Sequence, residues 1–571
     1  MIGASPTPRL DFDYIVVGAG SAGCILANRL TENGRYRVLL LEAGVPDDHF
    51  WLKIPLGIGK IRGDARFHWK FFTEPERRMH GQRIYWPRGR VLGGCSSING
   101  MLYNRGQPAD YDHWRDIGNS GWGFDDVLPY FKKLEAFPEG DPQWRGRDGP
   151  LHITDLARDP DPLSDAFIAA SIQAGYPRVA DYNAGPNDVG TGYLQLNIRN
   201  GRRCSSATAY LRPATGRPNL AVMVDALASR ILFSGKRAIG VEFITGEQRR
   251  TAFASKEVIL SAGTVQSPQL LELSGIGDAE RLGALGIPVV RHAPGVGENL
   301  QDHLQVRIVY ECRRPLTLNA MLANPWRQGL MGLRYALFRK GLMTTASAKT
   351  FTNVKALRQS DRADVKIQLY MISGDSRHCG GADLELDDFW GFSIGHNQMR
   401  PESRGSIHIA SSSPFVPPAI VANYLSHETD RATNIAALRI ARRIASRPAL
   451  AALIARERRP GPAVVEDEAL LAYCGTAGHS SYHPVGTCRM GQDREAVVDE
   501  RLRVRGVAGL RVVDASVMPT LTSCNTNAPT MMIAEKGADL ILADAARAAA
   551  SSRAARPTSK SVPASSRAPA A

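Results

Sequence analysis

A chain of 571 residues, 43% of them hydrophobic, can bury a large core, and domain-size statistics divide it into about two to four structural units. Its formal charge of +14 at pH 7 raises nucleic acid or an anionic surface as partners, but most of the excess is spread among acids instead of forming a basic aromatic stripe, which argues against nucleic acid. No stretch approaches the roughly 18 consecutive apolar residues of a membrane span, and the opening MIGASPTPRL lacks an apolar signal core. A cytoplasmic protein is expected, with loose contact to a membrane surface still compatible. The eight cysteines, at positions 24, 95, 204, 312, 379, 474, 488 and 524, form no CxxC pair, which fits reduced thiols better than a disulfide framework.

The segment from Asp13 to Glu42 carries the first motif. An apolar run (Tyr14, Ile15, Val16, Val17) is followed by Gly18-Ala19-Gly20-Ser21-Ala22-Gly23, a helical stretch, a turn at Asn33-Gly34 and a second apolar run ending at Glu42 and Ala43. Gly18 permits the tight strand-to-helix turn, Gly20 admits a pyrophosphate close to the backbone, and Gly23 lets helix and strand pack. Glu42 stands 19 residues after Gly23, where a carboxylate accepts hydrogen bonds from an adenosine ribose and disfavours a 2′-phosphate. Strand, glycine turn, helix, second strand and acid in this order predict a dinucleotide site.

A second glycine-rich block runs from Pro87 to Tyr103. Gly93 and Gly94 allow a bulky planar ligand to approach the backbone, and Ser96, Ser97 and Asn99 can hydrogen-bond to it. The competing reading is a plain glycine loop. A third block, Ser261 to Leu271, follows a strand-like VILSAG and reads as a strand returning to the nucleotide sheet and feeding a helix. Asp364 to Ile372, Trp390 to Asn397 and Gly405 to Ser411 have strand-like composition. Thr433 to Ala445 is expected to be helical, with Pro448 just beyond its end.

Two histidines four apart, His479 and His483, admit three explanations. A zinc pair is disfavoured because Pro484 opposes helical geometry, the glutamate of HExxH is absent and no third ligand is evident, so no metal is expected. A buried histidine that only satisfies backbone groups is the second. The third is a general base that accepts an alcohol proton. After the strand-like Leu510 to Ser516, the segment CNTNAPTMMIAEK holds Asn527, Pro529 and Thr530, a helix start with an asparagine nearby as cap. Residues 545–571 contain five basic residues, no acid and no large aromatic, and are expected to be a disordered tail.

With these blocks in view, the chain closely resembles the glucose-methanol-choline (GMC) oxidoreductase family over roughly residues 11 to 544. PRGRVLGGCSSINGMLYNRG is similar to its first signature, GTVQSPQLLELSGIG to its second, and YHPVGT to its catalytic-histidine motif. The resemblance implies FAD, an α/β fold with a Rossmann-like FAD-binding domain, and an inserted α+β substrate domain built on an antiparallel sheet. It places FAD contacts at Gly18, Gly20, Ser21, Ala22, Gly23, Glu42, Ala43, Trp69, Val91, Gly94, Ser96, Asn99, Gly100, Met101, Leu102, Ala228, Asp514, Ala515, Pro529 and Thr530. Trp69 is equally readable as core. Ala228 stands where the family usually has a valine whose main chain meets adenine. The family's flavin-linking histidine is replaced by Ile98, so dissociable FAD is expected.

The implied domain plan assigns residues 11–155, 215–310 and 475–544 to the FAD domain, and 156–214 with 311–474 to the substrate domain. The implied chemistry is oxidation of a primary alcohol to an aldehyde. His483 is the base and Asn527 the amide that holds the substrate oxygen, with electrons passing to oxygen or a quinone-type acceptor. Tyr482, beside the base, suits aliphatic, aromatic or cationic substrates alike. The rivals are an FAD-containing hydroxynitrile lyase on the same scaffold, a light-driven decarboxylase relative, and a non-catalytic basic protein that retains a nucleotide fold.

Overall fold

The computed structural model describes residues 10–185, 188–374 and 385–554. Its first sheet is assembled from segments far apart in sequence. Strands Leu220–Met223, Val38–Leu41, Leu10–Val17 and Gln248–Leu260 lie side by side in parallel, and Leu510–Val512 adds in parallel to the end of the last of these. Strands buried on both faces read as continuous apolar runs, as Tyr14–Val17 and Val38–Leu41 do. The strand Gln248–Leu260 is 13 residues long, so its first half has room to pair with the antiparallel hairpin of Ala226–Ser234 and Arg237–Thr245.

Parallel strands must end on the same edge. Gly18, Glu42 and Ser261 each follow directly after one of them, Asp514 comes two residues after the end of Leu510–Val512, and this edge, outside the carboxyl ends of the strands, is where open α/β sheets bind ligands. Helices Gly23–Thr31 and Asn527–Ala554 pack against each other beside this sheet.

The second sheet is antiparallel at every pairing. Its order is Ile454–Arg459, Leu304–Cys312, Gly391–Gln398, Val365–Tyr370, Thr350–Val354 and Gly190–Tyr193, with the short strand His479–Ser480 pairing with Leu304 and Gln305. Helix Glu428–Ala445 packs on it.

Several sequence expectations shift. The helix expected from Thr433 begins five residues earlier, because His427 caps it through Nδ1 and Glu428 and Asp430 occupy its first turn. The segment expected as a strand from Gly405 to Ser411 shortens to Ser406–His408 and pairs with Ala419–Val421 in a separate hairpin. The domain boundary expected at 310/311 falls inside strand Leu304–Cys312, and His479–Ser480 joins the second sheet, although it lies in a segment assigned to the first. The expected tail from 545 does not begin there: helix Asn527–Ala554 continues through ten of its residues, and 555–571 lie outside the described residues.

Candidate active site

Between the two sheets lies a cleft of about 540 Å³. Its nucleotide-side wall contains Gly18, Gly20, Ser21, Ala22, Glu42, Ala43, Trp69, Gly94, Asn99, Gly100, Met101, Leu102, Ala228, Asp514, Ala515 and Thr530. Four expected contact residues, Gly23, Val91, Ser96 and Pro529, are not part of the lining. They support it instead. A Cβ on Gly23 would sit 1.9 Å from the Gly18 carbonyl oxygen, so this glycine serves packing. Val91 is fully buried in a small core beneath the loop, and Ser96 Oγ donates to the Gly93 carbonyl while accepting from the Ser206 amide. Pro529 opens helix Asn527–Ala554 within its first turn.

The nucleotide wall has the shape and donors that a dinucleotide requires. A Cβ on Gly94 (φ +51°) would meet Gly20 Cα at 2.7 Å, so the two glycine loops touch backbone to backbone and leave a smooth cradle. Glu42 is held by the Ala19 amide on Oε2 (2.9 Å) and the Gly44 amide on Oε1 (2.8 Å). Each oxygen keeps a lone pair for a ribose hydroxyl. Burial pushes this carboxyl up to about 7, with the two amides opposing the rise. Asp514, by contrast, spends both oxygens within the protein, on the Gly263 amide and Ser267 Oγ and on the Ser516 amide and Oγ. It ties the strand end to helix Gly263–Leu273. The Arg90 guanidinium lies 4.9 Å over the Trp69 ring.

The signature loop is pinned by a residue that sequence reading missed. Arg203 is buried and donates to the Leu52, Ser96 and Asn99 carbonyls and to Asn99 Oδ1, which also accepts from the Met101 amide. Burial alone lowers Arg203 to about 9. Met101 is left-handed (φ 63°), a conformation these bonds hold in place.

On the opposite side, His483 is brought in by pairing with the distant segment Asp302 to Gln305. Strand His479–Ser480 registers on Leu304 and Gln305, the Ser481 amide donates to the His303 carbonyl, and the His483 amide donates to Asp302 Oδ1. The imidazoles of His483 and His303 meet edge to face with their Nδ1 atoms 3.0 Å apart. His303 Nε2 lies 2.8 Å from the Met399 carbonyl, which can only accept, so that nitrogen carries a proton. In the neutral ring, His303 Nδ1 is then bare and His483 Nδ1 must donate to it. His483 Nε2 is left as a lone pair, and Asn525 Nδ2 donates to it at 2.9 Å. Burial, then His303, Lys366 and Arg88, hold His483 well below the usual histidine range, so it rests neutral.

The amide beside the base is Asn525, where Asn527 was expected. Both asparagines line the cleft, but Asn527 is the first residue of helix Asn527–Ala554, and its Oδ1 accepts from Ser21 Oγ (2.8 Å) in the nucleotide loop. Asn525 lies in the extended approach to that helix, with Oδ1 toward Lys366 Nζ (3.5 Å) and Nδ2 toward His483. A lysine cannot accept, which fixes the amide's orientation. The chain thus passes the base first and the nucleotide loop two residues later.

Among the described residues seven cysteines are free, no group of histidine, cysteine and acid side chains could hold a metal ion, and no helix is long and apolar enough to cross a membrane.

Comparison with known proteins agrees with this architecture. The GMC oxidoreductase N-terminal pattern matches residues 12–305, and the C-terminal pattern matches residues 401–534. The chain is 42% identical to the oxygen-dependent choline dehydrogenase of Vibrio vulnificus over 93% of its length and 94% of that protein's. It is also 42% identical to human mitochondrial choline dehydrogenase, over 94% of this chain and 91% of that one. Among solved structures, pyridoxine 4-oxidase from Mesorbium loti superposes with a TM-score of 0.82 at 31% identity, covering 92% of this chain and 98% of that one. The glycine cradle, the ribose acid and the paired sheets are thus those of an FAD enzyme acting on CH–OH donors, and the chain belongs to the GMC oxidoreductase family.

Proposed function

We propose that the protein oxidises an uncharged or anionic primary alcohol to the aldehyde, with His483 as general base and Asn525 as the amide that holds the substrate oxygen. The observation that carries this reading is the hydrogen-bond order from the Met399 carbonyl through His303 to His483, which leaves Nε2 of His483 unprotonated, a neutral acceptor whose resting donor is the Asn525 amide. A substrate hydroxyl entering between His483 and Asn525 would give its proton to Nε2 and receive the amide N–H. FAD, when bound along the strand ends, supplies the acceptor for the carbinol hydride. Oxygen or a quinone-type acceptor would take the electrons onward. Asn527, Ser21 and the Gly20–Gly94 contact hold the cofactor's place, and residues 11–155 and 215–303 with the C-terminal helix form its domain.

Charge supports the substrate class. Among the described residues the acids lining the cleft are Glu42 and Asp514, both engaged at the nucleotide edge, whereas Arg62, Arg88 and Arg307 line the rest. A quaternary ammonium there would lack a counter-charge and face like charges.

The test is anaerobic mixing of the purified enzyme with primary alcohols while following the flavin's visible absorption. Bleaching with aldehyde formation is expected, slowed about 100-fold or more by His483→Ala. Cyanide release with an unbleached flavin would instead identify a lyase, and wild-type bleaching by the variant would remove His483 from the chemistry.

A further inference from the structure

Helix Pro325–Phe338 leaves its apolar side uncovered. Trp326 is 85% exposed, Leu330 66%, Leu333 54%, Leu337 64% and Phe338 66%. The first four recur at spacings of four, three and four residues, so they form one stripe along the helix. Buried apolar residues are the rule for such a stripe in a soluble helix, and here only Tyr335 is fully buried, against the body of the protein. Asn324 caps the helix through its side-chain oxygen, which accepts from the Trp326 and Arg327 amides, so the element is defined without help from a partner.

The charge carried by this segment has one sign, and the acid that meets it is Asp159 from elsewhere in the chain, paired with Arg334 (3.1 Å). From Cys312 to Ser360 the sequence contains no aspartate or glutamate and nine basic residues, four of them (Arg327, Arg334, Arg339 and Lys340) on this helix or at its end. Arg334, Arg339 and Lys340 are exposed at the C-terminal end. An apolar stripe bearing tryptophan and leucine beside a cluster of cations is the make-up of a helix that lies in the plane of a bilayer surface. A second copy of this chain is a poor occupant, because a two-fold contact would set this acid-free segment against itself. The segments on either side of the helix both reach the cleft: the chain lines it at Leu318 before the helix and at Ala346, Ser347 and Ala348 after it.

We propose that helix Pro325–Phe338 docks the protein on an anionic lipid surface, its stripe entering the headgroup boundary and its cations meeting lipid phosphates. The cleft rim then faces the bilayer. The proposal stands on surface chemistry alone and is independent of the alcohol reading.

The test is co-sedimentation of the FAD-loaded enzyme with phosphatidylcholine vesicles, with and without about one-third phosphatidylglycerol. The partition coefficient should be about tenfold or more higher on the anionic vesicles and fall by a similar factor in the double variant Leu330→Ser/Leu337→Ser. Both substituted side chains are exposed, and an unchanged flavin spectrum and thermal midpoint verify that the variant is folded. Absence of binding, binding indifferent to the anionic lipid, or binding retained by the double variant would each overturn the proposal. So would self-association that the double variant abolishes without any vesicle binding, which would make the stripe a contact between copies.

Discussion

His303 Nδ1 lies 3.0 Å from His483 Nδ1, and the proton between them belongs to His483. The Met399 carbonyl fixes this from the far side of His303, because it accepts from Nε2 and leaves Nδ1 bare. His303 therefore acts through His483: it selects the tautomer in which Nε2 can take a proton, and it continues to accept from Nδ1 once the ring is charged. Its own neutrality is secured by burial, which lowers it to about 4.

Replacing His303 by alanine leaves the His483 Nδ1 proton without its acceptor and frees the ring to turn or change tautomer. Flavin reduction should slow by about 10- to 100-fold, the usual cost of losing an orienting partner. His303→Gln, whose oxygen can accept the same proton, should recover part of the loss. Equal rates in wild type and His303→Ala, measured by stopped-flow under anaerobic conditions, would deny His303 this role.

The acid limb of activity tests the electrostatics of the site. A base must be unprotonated to work, and His483 is held well below the usual histidine range by burial, His303, Lys366 and Arg88. Flavin reduction should thus persist as pH falls through about 6.5 and fail only below it. Lys366, itself lowered by burial to about 8, is a cation at neutral pH beside Asn525. Lys366→Met removes that charge, raises the His483 pKa, and should move the acid limb upward in pH. A limb that stays in place would show that Lys366 does not contribute to it.

The parts of the site that were legible in sequence are those made by consecutive residues. Gly18 to Glu42 encodes strand, turn, helix and acid in order, and Gly94 and Met101 fall within one loop, so their neighbours follow from chain geometry. His303 and Arg203 were not legible, because their roles depend on partners about 180 and 104 residues away in sequence, across a sheet edge or under a loop. Choosing between Asn525 and Asn527 required knowing where the helix starts, a boundary that helix propensity places only to within one or two residues. For Gly405 to Ser411, composition indicated a strand but not its pairing partner.

Exchange of the two asparagines separates their duties. Asn525→Ala removes the amide facing His483 Nε2 and should lower the flavin reduction rate by about tenfold or more, with FAD content unchanged. Asn527→Ala breaks the bond with Ser21 Oγ and should weaken FAD retention, while the rate in the loaded fraction changes less. Cofactor dissociation by ultrafiltration and single-turnover rates measure the two effects independently. The opposite pattern would restore Asn527 to the position facing the substrate.

Ile98 lines the cleft in the signature loop and offers only hydrocarbon to a flavin ring. Acid precipitation of the holoenzyme should leave a colourless pellet and a yellow supernatant. Colour that remains on the polypeptide would mean that another side chain forms a covalent bond.

Choline and 3,3-dimethylbutan-1-ol have nearly the same shape and differ by one charge, so comparing them isolates the field of the cleft. Arg62, Arg88 and Arg307 line the cleft, and among the described residues no carboxylate near His483 on its wall is available to pair with a quaternary ammonium. The nearest acid behind the base, Asp302, accepts from the Ser480 and Tyr424 hydroxyls and the His483 amide, and burial raises its pKa. One uncompensated charge about 8 Å from a guanidinium costs on the order of 2 kcal/mol at an effective dielectric of about 20. The neutral alcohol should therefore show a kcat/KM about tenfold or more above that of choline, and the gap should narrow in Arg307→Gln as one repelling charge is removed. A kcat/KM for choline equal to or above that of the neutral alcohol would show that the arginines do not set the preference of the cleft.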